Sequence, residues 1–143
     1  MNETVEGASG MVRLTFLVQK LYAEVGQGCG LTVAQSLLLC SLNDRSVGMA
    51  ELSTMLGLEK SSLTGLVDRA EQRGLVARES DPLDRRAVNV ALTPAGADAG
   101  HRFHAQLTGR LDEVLSELSA TDRKHFTRAV GMLVSDVPAV FAD

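Results

Sequence analysis

Tryptophan is absent from this 143-residue chain, and aromatic residues make up only 3% of it. Stacked rings cannot carry the core. Leu, Val and Ala must supply the apolar surface, which favours helices packed on helices. Cysteine is also scarce, with Cys29 and Cys40 the two present. Two thiols do not make a disulfide framework, so a reducing compartment is the default. The opening "MNETVEGASG" lacks a basic segment followed by an apolar one, which argues against a secretory signal. No apolar run approaches bilayer length, and "SLLLCSL" is far too short. Together these absences point to a soluble cytoplasmic protein with no membrane contact. Its length is that of one domain able to bury a core without disulfides or metals.

Enzymatic signatures are missing too. There is no phosphate loop, dinucleotide fingerprint, metalloprotease motif or Gly-flanked nucleophilic serine. No catalytic residue, cofactor or metal is expected. An excess of positive charge is also lacking. The formal net charge is −4, which argues against a nucleic-acid partner, since such domains are usually basic. That charge is unevenly spread. Glu59 to Arg86 holds six basic and six acidic residues, so the acidic excess lies in the flanks.

The periodicity of the chain is informative. Leu14, Leu17, Leu21 and Val25 recur at helical spacing within Met11–Val25. Met11, Val12, Phe16 and Val18 make other sides of that helix apolar, which suggests burial against a second subunit. "GQGCG" then breaks the helix, exposing Cys29. Thr32 caps a central helix reaching Leu42, with Cys40 in its core. "NDRSVG" is a turn with one short strand. Met49–Leu56 is a short helix ended by Gly57, and Glu59–Arg73 is a longer one ended by Gly74. Two helices joined by about three residues have the spacing of a helix-turn-helix.

After Gly74 the period becomes two. "LVARES" and the alternation of Val88, Val90 and Leu92 read as strands, and "DPLDRR" as the turn between them. Thr93 caps a further helix with Pro94 at its first position, running to about Leu118. Its seam is Leu107, Leu111, Val114 and Leu118. Ser119 opens a last helix with the seam Phe126, Val130, Leu133 and Val137, ended or kinked by Pro138. The two seams predict an antiparallel helical hairpin. The expected fold is mainly α with a small β-hairpin: a winged helix-turn-helix flanked by long helices.

In the second helix of the motif, Leu63, Leu66, Val67 and Ala70 form the inward stripe. The outward face carries Lys60, Ser61, Ser62, Thr64, Gly65, Asp68, Arg69 and Gln72. Small hydrogen-bonding groups and cations suit a DNA major groove, and Gly65 would permit close backbone approach. An ordinary solvated face is the plainer reading of such a helix, but the hairpin that follows favours the first. Arg85 and Arg86 at a hairpin tip suit a narrow, electronegative minor groove. The plainer alternative pairs them with Asp81 or Asp84.

The segments "LTVAQSLLLCSL", "ELSTMLGLEKSSLTGLVDRAEQRGLV" and "DRRAVNVALTPAG" resemble the MarR (multiple-antibiotic-resistance regulator) family of bacterial transcription regulators. The last fits that family's D-x-R…L-T-x-x-G wing signature through Asp84, Arg86, Leu92, Thr93 and Gly96. The resemblance spans roughly Leu14 to Leu118. It implies a homodimer on a palindromic double-stranded operator, with repression relieved by a small anionic or aromatic effector. It also implies a division into 1–31 and 97–143 as interlocking dimerisation helices around 32–96. Within that middle part the recognition helix is 59–73 and the wing 75–92. Arg86 enters the minor groove and Asp84 braces the wing. Two positions depart from the family. Glu59 stands where a capping Ser or Asp is common, and Gly65 where Arg is frequent.

Arg13, His101 and His104 are candidates for the effector pocket, which in the family lies between the dimerisation helices and the winged part. His101 and His104 are three apart without further ligands, which speaks against a metal. Two alternatives remain: a protein-interaction module on the same scaffold, and a redox-responsive regulator using Cys29.

Overall fold

The computed structural model describes residues 5–43 and 45–137. Among these, six helices and three short strands follow in the order α1 (Gly7–Cys29), α2 (Val33–Leu42), β1 (Val47–Gly48), α3 (Met49–Leu56), α4 (Lys60–Gln72), β2 (Val76–Ser80), β3 (Val88–Leu92), α5 (Pro94–Leu115) and α6 (Ala120–Leu133). The strands form one antiparallel sheet in the order β1-β3-β2. Val76 faces Leu92 across the hairpin, and Val47 faces Val90 on its other side. The winged helix-turn-helix is thus present, and its hairpin carries a third, two-residue strand from the "NDRSVG" turn.

The core gathers where α2, α3, α4, the sheet and α5 meet. Leu38, Leu39, Leu42, Val47, Leu52, Leu63, Val67, Val76, Val90 and Phe103 are all fully buried there. Its shape explains which residue types lie where. Leucines on three helices interdigitate, and the pleated strands contribute β-branched valines. Tyr22 on α1 meets Phe103 on α5 with ring centroids 5.3 Å apart, which sets those two helices against each other.

The ends of several helices and the packing of the last one differ from the expectation. The "GQGCG" stretch does not break α1, which runs through Gly26 and Gly28 to Cys29. Burial of Leu21 and Val25 outweighs the helix penalty of about 1 kcal/mol per glycine. Gly26 is also needed where it is, because a Cβ there would stand 2.8 Å from the Leu31 carbonyl oxygen. Cys29 therefore sits in a last helical turn, half-buried, with Sγ 3.7 Å from Gln106 Oε1.

Next, α5 ends at Leu115 rather than Leu118, and α6 ends at Leu133, so Val137 does not extend the second seam. Pro138 lies outside the described residues. Finally, the antiparallel hairpin does not close within one chain. The last helix, α6, buries none of its residues. Phe126, Met132 and Leu133 stay exposed, as do Met11, Val12 and Phe16 on α1.

Candidate nucleic-acid interface

The α3–α4 turn is built from local bonds. Gly57 closes α3 in the left-handed region with φ 63°, a conformation glycine adopts without a Cβ penalty. The Ser53 hydroxyl donates to the Leu58 carbonyl and ties the turn to α3. Glu59 occupies the N-cap of α4 and makes no side-chain cap bond. The predicted inward stripe of α4, Leu63, Leu66, Val67 and Ala70, is buried.

Outward, Lys60, Ser61, Ser62 and Arg69 are exposed, and Thr64 and Gly65 are half-buried. The Thr64 hydroxyl donates to the Lys60 carbonyl at 2.8 Å, so it faces outward mainly as an acceptor. Gly65 lies beneath a neighbouring side chain. A Cβ at this position would lie 3.2 Å from Arg69 Nη1. The Arg69 guanidinium lies over Gly65, filling space that would otherwise be open to an approaching backbone. A cation therefore stands over position 65, although the residue there has no side chain.

Residues 81–87 form the wing tip. The Asp81 carboxylate accepts from the Leu83 N–H at 2.8 Å, and the Asp84 carboxylate from the Arg86 N–H at 3.0 Å. Two backbone bonds, Asp81 N–H to Ala87 O and Ala87 N–H to Asp84 O, close the loop. Both carboxylates are thus occupied in shaping the backbone. Arg85 and Arg86 are exposed, and among the described residues neither belongs to an ion pair. The plainer reading, in which they pair with Asp81 or Asp84, is not what this geometry contains.

Sequence reasoning missed Arg78. From β2 its Nη2 reaches Asp68 Oδ1 at 2.6 Å and its Nη1 reaches Glu71 Oε1 at 2.9 Å. Its own N–H donates to Glu71 Oε2 at 3.2 Å. Three bonds from one residue join the wing to α4. The hydrogen bond to Asp68 holds the guanidinium protonated beyond the usual arginine range. The available signal was the acidic pair Asp68 and Glu71, three apart on a helix and followed by a cation in the next strand.

The base of the wing is fastened to α5. The Thr93 hydroxyl accepts from the Gly96 N–H at 3.0 Å and donates to the Gly74 carbonyl. The Thr93 N–H donates to the Leu75 carbonyl at 3.1 Å. Gly96 packs directly on that carbonyl, and a Cβ there would fall 1.8 Å from its oxygen. The Thr-x-x-Gly spacing is a backbone-to-backbone seat between wing and long helix.

The remaining candidates lie elsewhere. Arg13, exposed on α1, lines a shallow groove with Val5, Met11, Leu14 and Leu17 that neither histidine lines. His101 is exposed on α5, its Nδ1 2.7 Å from the Ala97 carbonyl, and His104 is half-buried one turn on. A second apolar groove, of about 450 Å³, runs between α1 and α2, lined by Met11, Leu14, Val18, Tyr22, Val33 and Leu37. Burial pushes the Cys40 thiol up to about 12, which keeps it protonated and unreactive. Among the described residues no single helix is long and apolar enough to cross a membrane. Nor does any cluster of His, Cys, Asp or Glu there have the makings of a metal site.

The pattern of the MarR family matches residues 30–87, which runs from the start of α2 to the wing tip. The chain belongs to the MarR family. It is 33% identical over 101 residues to the HTH-type transcriptional repressor MdtR of Bacillus subtilis, covering 68% of this chain and 63% of that one. It is 36% identical over 81 residues to the multiple antibiotic resistance protein MarR of Escherichia coli, covering 56% of each. The crystal structure of wild-type apo MarR from E. coli superimposes with a TM-score of 0.80 at 27% identity, covering 96% of this chain and all of that one. The matched segments span from under half to just under two thirds of the first curated relatives. The matched segment holds α2, α3, α4 and β2.

Proposed function

We propose that this MarR-family chain is a sequence-specific, double-stranded-DNA-binding transcription regulator that acts as a homodimeric repressor. One observation carries the reading. A polar, cation-bearing face of α4 stands beside a wing whose Arg85 and Arg86 are exposed and outside any ion pair among the described residues. Similarity to proteins named as transcriptional repressors supports it. In this reading Lys60, Ser61, Ser62, Thr64 and Arg69 meet phosphates and base edges, with Gly65 making room for Arg69. Arg85 and Arg86 reach the adjacent minor groove while Asp84 holds the tip. Repression follows from occupancy, since a dimer covering a promoter excludes polymerase. Two recognition helices engage half-sites one DNA turn apart, about 34 Å. A small anionic or aromatic effector that favours another spacing releases the DNA. Arg13, His101 and His104 remain the candidates for contacting it.

The test is a salt series on a palindromic duplex. Affinity must fall steeply with salt if phosphates are bound. Arg86→Ala should lose about 1–3 kcal/mol of binding. Salt-independent affinity, or an Arg86→Ala variant that binds as wild type, would overturn the reading in favour of a protein-interaction module.

A further inference from the structure

The outward stripe of α4 contains an acid where DNA would come closest. Ser61, Gly65, Asp68 and Gln72 recur at spacings of four, three and four, which places them on one line of the helix. Glu71 lies on the flank toward the wing. Two carboxylates facing a phosphate backbone oppose binding, because like charges brought together across an interface are strongly unfavourable. Neither is left alone here. Arg78 reaches Asp68 at 2.6 Å and Glu71 at 2.9 Å, and its N–H occupies the other Glu71 oxygen at 3.2 Å. Arg78 is itself only 28% exposed, against 52% for Asp68, so the cation sits behind the acids rather than in front of them.

We propose that Arg78 is a positioning residue that silences Asp68 and Glu71, making an acidic recognition helix compatible with DNA. This rests on the DNA-binding reading above. It assigns Arg78 no contact with DNA and assigns Asp68 no base to read. It also bears on a charge paradox. The Glu59–Arg86 stretch is formally neutral, yet with Arg78 committed to Asp68 and Glu71 and Arg73 donating to Gln35 on α2, the cations left are Lys60, Arg69, Arg85 and Arg86. The pairing sorts charge, drawing acids and one arginine into a clamp and leaving arginines at the two DNA-facing edges.

The experiment uses duplexes that the full-length wild-type protein enriches from a random library, with affinities measured for four proteins. Arg78→Gln should weaken binding about tenfold or more, because it uncovers two charges. Asp68→Asn with Glu71→Gln should bind at least as tightly as wild type. Combining all three changes should return affinity to within about threefold of wild type, since the charges that Arg78 covered are gone. A mechanical brace predicts the reverse. The double variant would then bind as poorly as Arg78→Gln, and the triple variant would not recover; either result overturns the proposal. So does a changed base preference when the same library is enriched a second time with an Asp68→Asn variant, which would make Asp68 a reader. Should Arg78→Gln fail to fold in a thermal melt, the double variant alone still decides between the two. If wild type enriches no duplex, the DNA-binding reading itself fails and this inference falls with it.

Discussion

At the scale of single residues, Gly65 and Arg69 act as a pair. The absence of a side chain at 65 looks like a lost cation, yet the Arg69 guanidinium occupies that place. Gly65→Ala separates stability from binding. Alanine is worth about 0.5–1 kcal/mol more than glycine within a helix, so the melting temperature should rise. The new Cβ, 3.2 Å from Nη1, pushes the guanidinium away, so DNA affinity should fall. A melt combined with a binding titration checks both, and a rise in both quantities would refute the pairing.

Cys40 offers a second test at this scale. Its folded pKa is raised from 9.0 to about 12 by burial. A raised folded value means the contribution is complete below the unfolded pKa and is lost as pH climbs through the window from 9 to about 12. The slope approaches about 1.4 kcal/mol per pH unit. Tyr22, raised by burial and then by Cys40, acts in the same direction. Urea unfolding across that window should show the loss, and Cys40→Ala should flatten the slope while lowering stability at neutral pH.

At the scale of elements, the link between wing and α5 is the most demanding piece of geometry. Gly96→Ala sets a Cβ 1.8 Å from a backbone oxygen, which no rotamer change relieves. A loss of about 2–4 kcal/mol is expected in urea unfolding. Gly109→Ala on the same helix meets nothing within 4 Å and should gain about 0.5–1 kcal/mol. This contrast also marks what the sequence makes legible. The limits of α2, α3 and α4 can be read because Thr32, Gly57 and Gly74 are local signals, acting within a turn of where they stand. The Thr93 cap with Pro94 is legible for the same reason. The end of α1 is not, because Gly26 is held by Leu31 and Ser36, contacts that exist only once α2 has folded back. Arg78 was missed on similar grounds. Periodicity places it on a strand but does not say which acids seven and ten residues upstream will face it. At the wing tip, the arginines were legible as residues, while their separation from Asp81 and Asp84 depended on both acids being occupied by backbone N–H groups.

At the scale of the molecule, most of the exposed large apolar residues lie on α1 and from the end of α5 onward, with Leu37, Leu83 and Val88 the exposed ones in between. Phe16 is 70% exposed on α1 and Met132 71% exposed on α6. A helix that buries nothing, joined to a folded body by one turn, is poorly stable by itself. Within one copy these faces are uncovered, and in the dimer proposed above a second copy covers them in a closed two-fold arrangement. Stability should then depend on protein concentration, because association stabilises the folded state by mass action. Phe126→Glu combined with Leu133→Glu puts charge on α6 without touching the winged core, since neither residue is buried. Sedimentation should shift from dimer to monomer, and the melting temperature should lose its concentration dependence. Affinity for a palindrome should drop to that for a single half-site, because the second recognition helix is no longer tethered. Binding to an isolated half-site should stay unchanged. That last measurement separates the two scales. If half-site binding also collapses, α6 supports the winged part directly and the end helices are not merely a dimer clamp.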